Sequence, residues 1–167
     1  MIYDVLIKPL YTPIDRYAEL GVALIKGNSV KSDRAGFEEV DHTADVALRI
    51  WAPNFEALLC QAALGMTRLM YGSITSGQVV RKRFSLEAFD RESLLVEWLG
   101  ELAYSAEINR EVFYEFGFEC VTDCRLIAAA CGNRVDSLQT VIKAVTYHNL
   151  KIIKTDRGLE ATVVFDV

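Results

Sequence analysis

Apolar residues recur along this chain with two different periods, and the change of period marks out its elements. Phe55, Leu58, Leu59, Ala62, Ala63, Met66, Leu69 and Met70 follow an i, i+3, i+4, i+7 pattern, which predicts a one-sided helix. Asn54 supplies its N-cap, Glu56 sets a negative charge in the first turn, and Gly72 ends it. Gly65 should weaken that helix by about 1 kcal/mol relative to alanine, unless something packs close there. A second stripe, Leu94, Leu95, Trp98, Leu99, Leu102 and Ala106, is capped by Asp90 and closed by Asn109 and Arg110. Elsewhere the pattern is that of strands, at residues 37–41, 46–51, 79–86, 112–121, 124–130, 140–147, 150–154 and 159–167. His148-Asn149 and Asp156-Arg157-Gly158 are turn residues and predict antiparallel hairpins. Two helices among about eight strands predict an α+β domain, a mostly antiparallel β-sheet with both helices packed on one face.

Residues 1–36 differ in character. Ile14, Tyr17, Ala18, Gly21, Leu24 and Ile25 recur at helical spacing after Pro13, and the polar residues 28–36 read as a linker. The expected organisation is an N-terminal extension of unassigned role over 1–36 and one domain over 37–167.

Composition narrows the function classes. With 167 residues, 51% hydrophobic and 25% charged, the chain suits a single packed domain. A formal net charge of −5 lacks the basic footprint of a stand-alone nucleic-acid binder, so strong direct nucleic-acid binding is not expected; a cation or a basic protein partner suits it better. No apolar run approaches the roughly 18 residues of a membrane span. The N-terminus shows no secretory pattern, so the expected location is cytoplasmic and Cys60, Cys120, Cys124 and Cys131 are expected as reduced thiols.

Candidate chemistry concentrates in two places. Asp41-His42-Thr43-Ala44-Asp45 holds two carboxylates and one of the chain's two histidines, and Asp166 stands beside the carboxylate of Val167. In the strand over 159–167, Leu159, Ala161, Val163 and Phe165 face one way and Glu160, Thr162, Val164 and Asp166 the other; a strand that stays regular to its last residue would fix Asp166 and Val167 in space, where they repel each other unless a cation or donors intervene. Hard cations such as calcium, magnesium or manganese take clustered oxygens of this kind. The alternative is a solvated chain end. His42 could be a ligand, a general base or a capping group. A zinc centre is disfavoured, because the cysteines lack C-x-x-C spacing. No P-loop, G-x-G-x-x-G or G-x-S-x-G occurs, and Arg81-Lys82-Arg83 reads as a solvated strand face.

Four stretches carry a resemblance. They are Asp41-His42-Thr43-Ala44-Asp45-Val46; Ala62-Ala63-Leu64-Gly65-Met66; Leu94 to Leu102 (LLVEWLGEL); and Val141 to Leu150 (VIKAVTYHNL), followed by the ending Phe165-Asp166-Val167. In this order they resemble the archease family, over roughly four fifths of the chain. The resemblance implies an archease-like two-layer sandwich. It also implies an accessory protein of the RNA-splicing ligase that joins tRNA exon halves. Such a protein is not itself an enzyme; it promotes the ligase's GTP-dependent guanylylation and multiple turnover. The implied cofactor is a divalent metal ion, calcium first, with manganese or magnesium as alternatives. The implied ligands are Asp45, Asp166 and Val167. His42, Asp41 and Lys143 are candidates for support or partner contact; for Lys143 the alternative is a solvated strand lysine. Residues 1–36 have no counterpart in the resemblance. Competing functions are a protein-folding modulator or chaperone, and a stand-alone metal-dependent hydrolase with His42 as base.

Overall fold

The computed structural model describes residues 25–26, 34–41, 46–72 and 77–167. Helix α1, Phe55–Tyr71, begins where expected: the Asn54 side chain accepts from the Ala57 amide at 2.9 Å. It ends at Gly72, whose φ of 73° lets its N–H return to the Arg68 carbonyl. Helix α2, Arg91–Asn109, is capped by Asp90, which accepts from the Ser93 amide at 2.8 Å. That bond also holds the Asp90 carboxyl below its ordinary pKa. Arg110 closes α2 in the left-handed conformation.

The strands divide into two antiparallel sheets. One contains β1 (Ile25–Lys26), β4 (Gln78–Glu87), β5 (Glu111–Val121) and β6 (Arg125–Arg134), in the order β1-β5-β6-β4. The other contains β2 (Gly36–Asp41), β3 (Val46–Ala52), β9 (Gly158–Asp166) and β7 (Ala144–Thr146), in that spatial order, with β8 (Ile153–Thr155) also on β9. The expected fold class holds, but the antiparallel strands form two sheets where a single sheet was expected. Helix α1 touches both β3 and β5, and the buried side chains of both sheets and both helices form one continuous core. Trp98 sits at its centre, edge-on to Phe84 at 5.2 Å and to Phe116 at 5.6 Å, with its indole N–H donating to the Leu59 carbonyl.

Four expectations change. Residues 140–147 were expected as one strand, yet only Ala144–Thr146 pairs. The amides of Gln139 and Thr140 instead turn to the Met70 carbonyl at the end of α1. The strand expected at 150–154 shrinks and shifts to Ile153–Thr155, because the Ile152 amide is taken by the Glu92 carboxylate and the Leu150 amide closes a turn on Tyr147. Consequently β7 and β8 do not form a hairpin with each other; both pair with β9. At the N-terminus Ile25 belongs to a strand where a helical stripe was expected, and the rest of that stripe lies outside the described residues.

Gly65 does have something close. A Cβ there would collide with Leu48 Cδ2 and lie 3.0 Å from the Phe37 ring, so α1 approaches β2 and β3 at this point. Gly65→Ala should therefore destabilise by about 1–3 kcal/mol despite its better helix propensity, measured as a shift of the urea midpoint.

The four cysteines are free thiols, as expected. Burial pushes the Cys60 thiol up to about 12, with nearby Glu56 a lesser cause. A thiol reagent at pH 8 should label exposed Cys124 in the native protein and Cys60 only after unfolding.

Candidate functional site

Register brings the two acidic stretches to one end of the β2-β3-β9-β7 sheet. Asp41, the last residue of β2, is the Cα partner of Val46, and Val46 in turn faces Phe165. On the other side of β9, Ala144 faces Asp166. The chain enters β3 from Asp45, and β9 leaves through Asp166 and Val167. Ala161, Val163 and Phe165 are buried while Thr162 and Asp166 are exposed, as alternation predicted. Val164 breaks the pattern. Alternation puts it on the face of Thr162 and Asp166, but it is buried, and its carbonyl accepts from the Thr146 hydroxyl at 3.0 Å.

Lys143 ties this end together. Its amide donates to the Asp166 carbonyl at 2.9 Å and its ammonium to an oxygen of Val167 at 2.8 Å. The ammonium thus approaches an oxygen of Val167, one of the groups expected as a cation ligand. Asp45 and His42 lie outside the described residues, as does the Asp41 side chain, so contacts of these three groups are not described. Among the described residues no three His, Cys, Asp or Glu side chains converge on one point. The oxygens of Asp166 and Val167 fit a hard cation chemically, and a complete donor set would have to draw on the stretch between β2 and β3.

A cleft of about 470 Å³ opens beside this end, between β2, β3 and the last turn of α1. Val46, Val167, Glu38, Arg68 and Gln139 line it. Sequence patterning did not single out Arg68 or Gln139; an arginine in a last helical turn and a glutamine in a loop carry no signal of their own. Across the open face of the sheet, Arg49 holds Glu160 through two hydrogen bonds of 2.9 and 3.0 Å and Glu38 at 3.1 Å. Those partners, Glu160 first, raise the Arg49 pKa. His148 sits in the Tyr147–Leu150 turn, away from any cluster of ligating groups among the described residues. Arg83 is paired with Glu119 at 2.9 Å on an exposed face, which suits a solvated strand better than a nucleic-acid patch.

The family model described as the Archease protein family (MTH1598/TM1083) matches residues 37–167. The chain belongs to the archease family. An archease of Methanosarcina barkeri is 37% identical over 140 residues, which covers 78% of this chain and 95% of that one. An archease of Saccharolobus solfataricus is 32% identical over 136 residues, covering 78% and 98%. The solution structure of protein 1598 of Methanobacterium thermoautotrophicum superposes with a TM-score of 0.59 at 28% identity, over 79% of this chain and 99% of that one. The crystal structure of an archease from Thermotoga maritima, described as a possible chaperone, gives a TM-score of 0.58 at 22% identity and covers 78% and 96%; it speaks to the fold alone. Among the described residues, no helix of this archease-family chain is long and apolar enough to cross a membrane.

Proposed function

We propose that this chain is a non-catalytic activator of an RNA-splicing ligase, promoting GTP-dependent guanylylation and repeated turnover in tRNA exon joining. The observation that carries the reading is the convergence of Val46, Lys143, Asp166 and Val167 at one sheet end, in a chain of the archease family. Asp45, joined to Val46, would hold a divalent cation together with Asp166 and Val167; calcium is the first choice and manganese or magnesium the alternatives. Bound there, the cation supplies positive charge that can meet phosphate oxygens, which is what phosphoryl-type transfer needs. The chain's own groups do the positioning. Lys143 fixes β7 against β9 and orients the Val167 carboxylate, and the exposed Asp166 presents its own carboxylate toward a basic partner surface. His42 and Asp41 would support that contact, in a cytoplasmic setting.

The test is a guanylylation and multiple-turnover ligation assay with the ligase of the same organism, GTP and manganese. The activator should stimulate at substoichiometric amounts; no stimulation would refute the reading. A folding modulator would instead need a continuous apolar surface. Among the described residues, the exposed apolar side chains include Phe89 in a loop, the neighbouring pair Tyr104 and Ile108 on α2, and Tyr147 in a turn, so they are spread over three elements. GTP hydrolysis by the isolated protein would favour a stand-alone hydrolase.

A further inference from the structure

The matched domain begins at residue 37, and its relatives are covered over 95–98% of their own length by 78% of this chain, so they contain little beyond that domain. This chain has something more in contact with it. Ile25–Lys26, upstream of the matched range, pairs antiparallel with β5, with Ile25 opposite Phe116 and Lys26 opposite Glu115. In the order β1-β5-β6-β4, removal of β1 leaves β5 as an edge strand. Edge strands offer a row of unpaired backbone donors and acceptors, and folds cover them or recruit a partner strand to them.

The place of contact is not arbitrary. Where β5 pairs with β6, its register slips between Phe113 and Glu115 and again between Phe118 and Cys120. Bulges bend and twist a strand, and between these two lies a stretch of unbroken register, residues 115–118. Strand β1 lies on that stretch. A two-residue strand is short beside the five or six residues usual for strands, so the pairing is readily exchanged.

We propose that residues 115–118 of β5 form a strand-acceptor site. The chain fills it with its own Ile25–Lys26, in an exchangeable pairing that closes the β5 edge. Recognition there is main-chain pairing along an edge. It is independent of the acidic sheet end and does not rest on the ligase reading.

The experiment compares three proteins by amide hydrogen exchange: the full chain, the domain over residues 34–167, and the full chain carrying Ile25→Pro with Lys26→Pro, which removes both strand N–H groups. Near-UV circular dichroism from the Trp98 cluster checks that each is folded. Those amides of residues 115–117 that point away from β6 should exchange at least tenfold faster in the truncated domain and in the double-proline chain, while their neighbours bonded to β6 should change little. A synthetic peptide of residues 20–33, added to the truncated domain, should restore slow exchange, and the same peptide with both prolines should not. Unchanged exchange on truncation, or no protection by millimolar wild-type peptide, would overturn the proposal.

Discussion

Trp98→Ala should remove about 3–5 kcal/mol of folding stability, a large part of what a domain of this size has. The side chain is fully buried and its ring contacts Phe84, Phe116 and Phe118 edge-on, so one substitution opens a cavity where α2 meets the β4-β5-β6 sheet. The indole N–H also donates to the Leu59 carbonyl at 3.1 Å and so ties α2 to α1. Urea unfolding followed by far-UV circular dichroism measures the loss. A shift worth less than 1 kcal/mol would mean that the aromatic cluster does not hold the helices to the sheet. Trp98→Phe should fall in between, because it keeps ring contacts but loses the hydrogen bond.

Asp166→Ala and Asp45→Ala should each lower ligase stimulation at least tenfold, with Asp166→Ala leaving stability within about 0.5 kcal/mol. Asp166 is exposed at the end of β9, and exposed substitutions of this sort seldom matter to folding. Calorimetric titration with calcium or manganese should show cation binding weakened in both variants. Lys143→Ala has the opposite sign for the cation. The ammonium at 2.8 Å from Val167 competes for the same oxygen, so its removal should tighten cation binding several-fold, most visibly at low salt. Stimulation should nevertheless fall, because the Val167 carboxylate loses its fixed donor. Full stimulation by Asp45→Ala and Asp166→Ala together would remove the acidic end from the mechanism.

Both helices and their caps were legible in the sequence, because Asn54, Asp90 and Gly72 act within a few residues of where they stand. Strand pairing was not. Period-two alternation identifies the apolar face of a strand but not its neighbour, so nothing local divides β4, β5 and β6 from β2, β3 and β9. The segments at 140–147 and 150–154 failed for a related reason: the partners that take their amides, Met70 and Glu92, are far away in sequence. At the candidate site, alternation foresaw that Asp166 is exposed. The pairing of Val46 with Phe165 and the reach of Lys143 to Val167 are products of register between distant segments, and only the fold displays them.

The position of β9 has a consequence for how the molecule is made. This strand is synthesised after every other described strand, yet it lies inside its sheet, with β3 on one side and β7 and β8 on the other. The β2–β3 pair must wait through more than a hundred residues of synthesis for its central neighbour, β9. Loop closure over such separations slows folding. Completion of this sheet therefore waits for residues 158–166, and a nascent chain stalled before residue 158 has neither the finished sheet nor its acidic end.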